Sequence, residues 1–105
     1  MENKILIKLI VPELNETYDL FIPVNEYIWK IIKLSVNAVS DLSRGALDMN
    51  KTYYLINKEN GSIYQSNQIV INTDIRNSTE LILLSNNNEK NYNVGLRMNI
   101  SAEKK

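Results

Sequence analysis

The chain has 105 residues, and its 12 lysines and arginines balance 12 aspartates and glutamates, so the formal net charge is zero. This length predicts one domain with its own core, and the balanced charge argues against a nucleic-acid partner, because such proteins usually carry a clustered basic excess. Cysteine and histidine are both absent, which excludes disulfides, most zinc and copper sites and triads that use imidazole. We therefore expect no cofactor and no enzymatic activity.

The first residues predict a strand rather than a targeting segment. The run "KILIKLIV" (4–11) alternates, and Lys8 and Pro12 interrupt the continuous apolar stretch that a signal peptide needs. No stretch approaches the roughly 20 apolar residues of a membrane span. We expect a cytoplasmic protein that does not insert directly into a membrane.

Hydrophobic periodicity predicts two strands and a helix in the first half of the chain. Residues 4–11 and 18–22 alternate as strands do, and "PELNET" between them is the turn of a hairpin. Asn25 is the candidate helix N-cap, and Gly45 is the expected end of the helix. The apolar stripe of this helix is predicted to contain Ile28, Ile31, Ser35, Ala38, Val39 and Leu42.

The second half predicts a hairpin and a closing strand. The stretch "TYYLINKENGSIY" (52–64) contains Asn60-Gly61, a strong hairpin signal because both central residues of such a turn need a positive φ. The closing strand is "TELILL" (79–84). Together the elements predict an α+β fold, a mixed sheet of four to five strands on one helix, with the first and last strands parallel and adjacent in its centre.

This order of elements resembles the β-grasp, or ubiquitin-like, fold. The segment "DIRNSTELIL" resembles the one that leads into the last strand of ubiquitin, and "IPVNEYIWKIIKLSV" and "LINKENG" are similar to the YukD family. Members of that family are bacterial ubiquitin-like proteins encoded with type VII secretion systems. The resemblance covers residues 4–84, so we expect a ubiquitin-like domain at residues 1–85 and a polar linker with an extra C-terminal strand or tail at residues 86–105.

The resemblance implies a small, non-catalytic accessory protein that docks on other proteins of the secretion machinery. Members of the YukD family lack the diglycine tail of ubiquitin and are not conjugated to lysines. Here Leu84 is followed by "SNNNEKN", which agrees with that pattern. An alternative is a structural or inhibitory module, unrelated to secretion, whose C-terminal strand completes the sheet of a partner.

The strand alternation also predicts a binding surface. If Ile7 and Leu9 point to the helix, their neighbours point to solvent on the opposite sheet face. That face is expected to form one contiguous apolar patch, larger than a soluble monomer usually leaves uncovered. A register shifted by one residue is the alternative, because it would exchange the two faces of a strand. The candidate protein-binding residues are Leu6, Lys8, Ile10, Tyr54, Ile56, Ile82 and Leu84.

The stretch "NYNVGLRMNI" (91–100) alternates apolar and polar residues. An isolated strand leaves its backbone groups without partners, so it could fold back across its own sheet, add to a sheet edge, or pair with a second copy in a homodimer. A tail without structure, alternating by chance in this composition, is the fourth alternative. The candidate self-association residues are Tyr92, Val94, Leu96, Met98 and Ile100.

Overall fold

The computed structural model describes residues 3–86 of the chain. Strands β1 and β2 form a hairpin before the helix α1, and β3 and β4 follow it. The predicted linker and strand beyond residue 86 lie outside the described residues. The elements are β1 (Lys4–Val11), β2 (Glu16–Pro23), α1 (Ile28–Leu42), β3 (Tyr53–Asn57) and β4 (Glu80–Ser85), with short 3-10 turns at Pro12–Leu14 and Val70–Asn72.

The four strands form one mixed sheet in the order β2-β1-β4-β3. β1 pairs antiparallel with β2 along its whole length and parallel with β4, while β3 pairs antiparallel with β4. In the central pair Leu9 lies beside Leu81, and both side chains are fully buried. The predicted parallel pairing of the first and last strands is therefore confirmed.

One face of the sheet packs against α1 and encloses the core. Alternate residues of the central strands supply its middle, and residues of the long connection after β3 close its side. Within residues 3–86 no helix is long and apolar enough to cross a membrane. The fully buried hydrophobic side chains are Ile7, Leu9, Val11, Ile28, Ile31, Val39, Leu55, Val70, Ile75, Leu81 and Leu83.

The helix begins at Ile28, so the predicted N-cap at Asn25 is wrong. Its N-cap is Tyr27, which makes no capping bond through its side chain. Instead the backbone carbonyls of Gln68 and Ser66 accept hydrogen bonds from the N–H groups of Ile28 (2.8 Å) and Trp29 (3.2 Å). The connection after β3 thus satisfies N–H groups that a side-chain cap would otherwise have to satisfy.

The end of the helix agrees with the sequence, but its last buried residue does not. Gly45 has φ +81° and donates its N–H to the carbonyl of Ser40 (2.7 Å), as a helix-terminating glycine does. Leu42, expected in the apolar stripe, is 60% exposed, whereas Val39, one turn earlier, is fully buried. The stripe therefore turns away from the core one turn before the helix ends.

The predicted hairpin at residues 52–64 forms only in part. Its return strand is a single bridge between Ile56 and Ile63, and only Gly61 of the Asn60-Gly61 pair has a positive φ. Asn57 organises the turn instead, because its carbonyl accepts the N–H of Gly61 (2.8 Å) and its side chain accepts the N–H of Glu59 (2.8 Å). The turn therefore spans four residues, 58–61, rather than two.

Replacing Leu9 with alanine should lower the free energy of unfolding by about 3 kcal/mol, because it leaves a cavity in the fully buried central pair. Leu84→Ala is the matched control on the opposite sheet face, where the side chain is 41% exposed, and should cost less than about 1 kcal/mol. Urea denaturation measures both values. Equal losses would contradict the assignment of the two faces.

Candidate protein-interaction surface

The seven predicted binding residues all lie on the sheet face that points away from α1, here called the outer face. Lys8, Tyr54 and Leu84 are exposed, and Leu6, Ile10, Ile56 and Ile82 are partly buried. The residues that alternate with them along the central strands are buried: Ile7, Leu9 and Val11 in β1, and Leu81, Leu83 and Ser85 in β4. The register is therefore the predicted one, and the two faces are not exchanged.

A row of isoleucines crosses the outer face. Strand pairing places Ile10 beside Ile82 and Ile82 beside Ile56, and the bridge after β3 extends the row to Ile63. Ile63 is 61% exposed. Four adjacent branched side chains thus form a continuous apolar strip across three strands and the segment after β3.

A second apolar pair adjoins this row. Leu84 and Tyr54 are directly paired between β4 and β3, two residues along each strand from Ile82 and Ile56. Both side chains are exposed. We define the outer patch as the isoleucine row together with this pair: Ile10, Ile56, Ile63, Ile82, Tyr54 and Leu84.

A row of charges bounds the outer patch on the side opposite the Leu84–Tyr54 pair. The ammonium of Lys8 lies 3.2 Å from the carboxylate of Asp19, and that of Lys58 lies 3.1 Å from the carboxylate of Glu80. Lys8 is also paired with Glu80 across the parallel strands, so the signs alternate along the row. Such exposed ion pairs contribute little to stability, about 0–1 kcal/mol each.

The charged row separates Leu6 from the outer patch, so the expectation of one contiguous surface is wrong for that residue. Leu6 is paired instead with Phe21 of β2, whose side chain is 70% exposed. Lys8 belongs to the charged row. The outer face therefore carries two apolar areas, a large one on β1, β4 and β3 and a small one on β1 and β2.

Sequence reasoning missed Phe21 and Ile63. The alternation of "YDLFI" could have identified Phe21, since it differs in parity from Leu20 and Ile22. Ile63 could have been found by pairing it with Ile56 across the turn. Both residues lie on segments that were predicted as parts of hairpins, but the sheet face of each side chain was not predicted.

A polar network fixes the segment that carries Ile63 against β3. The amide of Asn57 donates to the hydroxyl of Tyr64 (3.0 Å), and this hydroxyl donates to the carboxylate of Asp74. The backbone N–H of Tyr64 donates to the carbonyl of Leu55 (3.0 Å). Because Tyr64 is held inside, its neighbour Ile63 is held on the outer face.

The pKa values of two phenols are raised, that of Tyr53 in β3 and that of Tyr64 in the segment after it. Burial, reinforced by the hydrogen bond to Asp74, raises the pKa of Tyr64 from 10 to about 12. Burial and the negative charge of Glu13 raise the pKa of Tyr53 well above its usual range. The Tyr53 hydroxyl donates to the carbonyl of Asp48 (2.7 Å) and lies 3.2 Å from the carboxylate of Glu13. Both groups are therefore held protonated in the folded protein.

The stability of the protein should fall as the pH rises from about 10 to about 12. The folded state retains phenol protons that the unfolded chain releases above its lower pKa, so rising pH favours unfolding. Thermal unfolding followed over this range tests the expectation. Tyr64→Phe should reduce the pH dependence, and Tyr54→Phe, which changes an exposed phenol on the outer face, should leave it as in the wild type. A pH profile that is the same in both variants would contradict the network.

Comparison with family models and with curated proteins finds no match to this chain. Solved structures do match. The ubiquitin-like domain of the Mycobacterium tuberculosis type VII secretion protein EccD1 has a TM-score of 0.64 at 13% identity, covering 79% of this chain and 99% of that one. The ubiquitin-like domain of EccD5 from Mycobacterium xenopi has a TM-score of 0.60 at 10% identity, covering 79% and 94%.

The protein has the ubiquitin-like β-grasp fold. A chain of the toluene 4 monooxygenase HD complex, bound to an inhibitor, also superposes, with a TM-score of 0.67 at 4% identity over 80% of this chain and all of that one. A shared fold at such low identities does not transfer a function.

Proposed function

We propose that this protein is a non-catalytic ubiquitin-like adaptor of the YukD kind, which acts in a type VII secretion system by docking on other proteins through its outer patch. The fold shared with the EccD domains and the resemblance of residues 22–36 to the YukD family support the link to secretion. The exposed outer patch supports docking. Action in the cytoplasm without conjugation to lysines is part of the same proposal.

The observation that carries the docking proposal is the isoleucine row. Ile10 and Ile82 lie on the two central strands and Ile56 on the edge strand β3, and no element among residues 3–86 covers them. Apolar patches of roughly 300–600 Å² on monomers are often binding sites. The alternating charges of Lys8 and Glu80 along one border favour a partner that places an apolar surface beside complementary charges, which fixes its orientation.

The secretion part of the proposal has a direct test. The gene should lie near genes for an FtsK-type membrane ATPase and small helical WXG-type substrates, and the purified protein should bind the cytosolic part of that ATPase. Leu84→Glu should weaken this binding at least tenfold, because it places a charge at the edge of the outer patch. Titration calorimetry measures the affinity.

Ile71→Glu is the matched control, because Ile71 is 51% exposed but lies in the 3-10 turn at Val70–Asn72, outside the sheet. It should bind as the wild type does. Equal weakening by both variants would contradict docking through the outer patch. A gene neighbourhood without secretion genes would favour the alternative of an interaction module unrelated to secretion. A homodimer through residues 92–100 stays a prediction, since that segment lies outside the described residues.

A further inference from the structure

The charged row of the outer face is complementary to itself when it is reversed. Across the strand order β2-β1-β4-β3 the row consists of Asp19, Lys8, Glu80 and Lys58, so its signs are negative, positive, negative and positive. In the opposite direction every position carries the opposite sign. The four side chains are 44–59% exposed, so all of them are accessible to another molecule.

A two-fold axis between two copies of the chain produces this reversal. An interface with such an axis uses the same surface on both copies. If the outer faces meet and the axis runs along the strands, between β1 and β4, each strand faces the one equally far from the axis on the other side. Lys8 then faces Glu80 of the second copy, and Asp19 faces Lys58 of the second copy. Symmetry repeats both contacts, which gives four pairs of opposite charges.

The same axis places the isoleucine rows against each other. Rotation about an axis along the strands does not move a row along them, so each row faces its own copy. Ile10 faces Ile82 of the second copy, and Ile56 faces Thr17, the exposed β2 residue beside Ile10. Stacked sheets lie about 10 Å apart, and their twist makes the strands cross at about 30°. Ile10 and Ile82 lie next to the axis, where this crossing displaces them least.

The other two-fold arrangement of the two faces is unfavourable. An axis along the charged row would place Lys8 against Lys8 of the second copy and Glu80 against its own copy. Like charges across an interface oppose association. This axis would also bring the isoleucine row against Leu6 and Phe21 instead of against itself. The charge pattern therefore favours the axis that runs along the strands.

We propose that two copies of this chain associate through their outer faces, about a two-fold axis parallel to β1 and β4. Four strands and three rows of outward side chains make a face of about 20 Å by 20 Å, so each copy buries about 400–600 Å². The total of about 800–1,200 Å² is typical of weak, transient complexes. The dimer therefore forms reversibly, with a dissociation constant in roughly the micromolar to submillimolar range.

This dimer covers the outer patch, which the proposed function assigns to docking. A docking partner must therefore displace the second copy, and the protein binds such a partner more weakly as its own concentration rises. This regulation rests on the proposed function, whereas the self-association does not. Self-association would hold part of the protein in a form that cannot dock.

Exchanging the facing charges tests the arrangement in the full-length protein. Lys8→Glu places two pairs of like charges in the interface, and Glu80→Lys does the same, so each variant alone should dimerise at least tenfold more weakly than the wild type. An equal mixture of the two variants should associate again, because all four facing pairs are then opposite in sign. Sedimentation velocity over a dilution series measures the dissociation constants.

Lys33→Glu is the matched control, because it changes the net charge by the same amount at an exposed position on α1. It should dimerise as the wild type does, and circular dichroism should show the same fold in every variant. A wild-type protein that stays monomeric up to about 1 mM would overturn the proposal. A mixture of the Lys8 and Glu80 variants that does not associate would also overturn it, as would equal weakening by Lys33→Glu.

The cytosolic part of the ATPase tests the regulation separately. Its addition should convert the wild-type dimer into a complex with one copy of this protein for each ATPase domain, which sedimentation also measures. A complex that retains the dimer would contradict the shared surface and overturn the regulation. If the dimer forms as described but the ATPase does not bind, the self-association is supported and the proposed function is contradicted.

Discussion

The parallel pairing of β1 with β4 is the contact on which the rest of this structure depends. It brings Leu9 beside Leu81 in the middle of the core, although most of the chain lies between them. The helix must cross one face of the sheet for the two strands to meet, and this covers the inner side chains of both. Among residues 3–86 no element covers the outer side chains of the same strands, so the pairing that builds the core also builds the isoleucine row.

The outer face is not uniformly hydrophobic, because a row of charges divides its apolar residues into two areas. The charged row runs from Asp19 of β2 through Lys8 and Glu80 to Lys58, the residue after β3, and keeps the Leu6–Phe21 pair apart from the isoleucine row. Exposed ion pairs add little to stability, so their main physical effect is on association. A partner bound one row away from its correct position would place a charge against an apolar side chain. The free-energy cost of burying that charge favours the correct position over the shifted ones.

The features that depend on local alternation could be predicted from the sequence. The inward positions of Ile7, Leu9, Leu81 and Leu83 follow from periodicity, and the end of the helix before Gly45 follows from turn chemistry. The central parallel pair follows from the order of the elements. The start of the helix could not be predicted, because the carbonyls of Ser66 and Gln68 reach it from a segment about forty positions away. No local pattern near Asn25 carries that information.

The division of the outer face into two apolar areas could not be predicted from the sequence, for a related reason. Parity assigns a residue to a face, but only the register between strands shows which residues become neighbours. Lys8 was predicted on the correct face. That it belongs to a charged row between Leu6 and Ile10 becomes apparent only when the register aligns Asp19, Glu80 and Lys58 with it.

The wide separation of β1 and β4 along the chain also affects biosynthesis. During translation the β1–β2 hairpin emerges first, and a two-stranded hairpin is at best marginally stable in water. Its aliphatic residues cannot enter a core until Leu81 and Leu83 have been made, so the nascent chain exposes a hydrophobic strand edge until the last strand of the domain is complete. Lys4 and Lys8 on that strand are residues of the kind that hinder edge-to-edge aggregation, which gives these surface charges a role before the domain has folded.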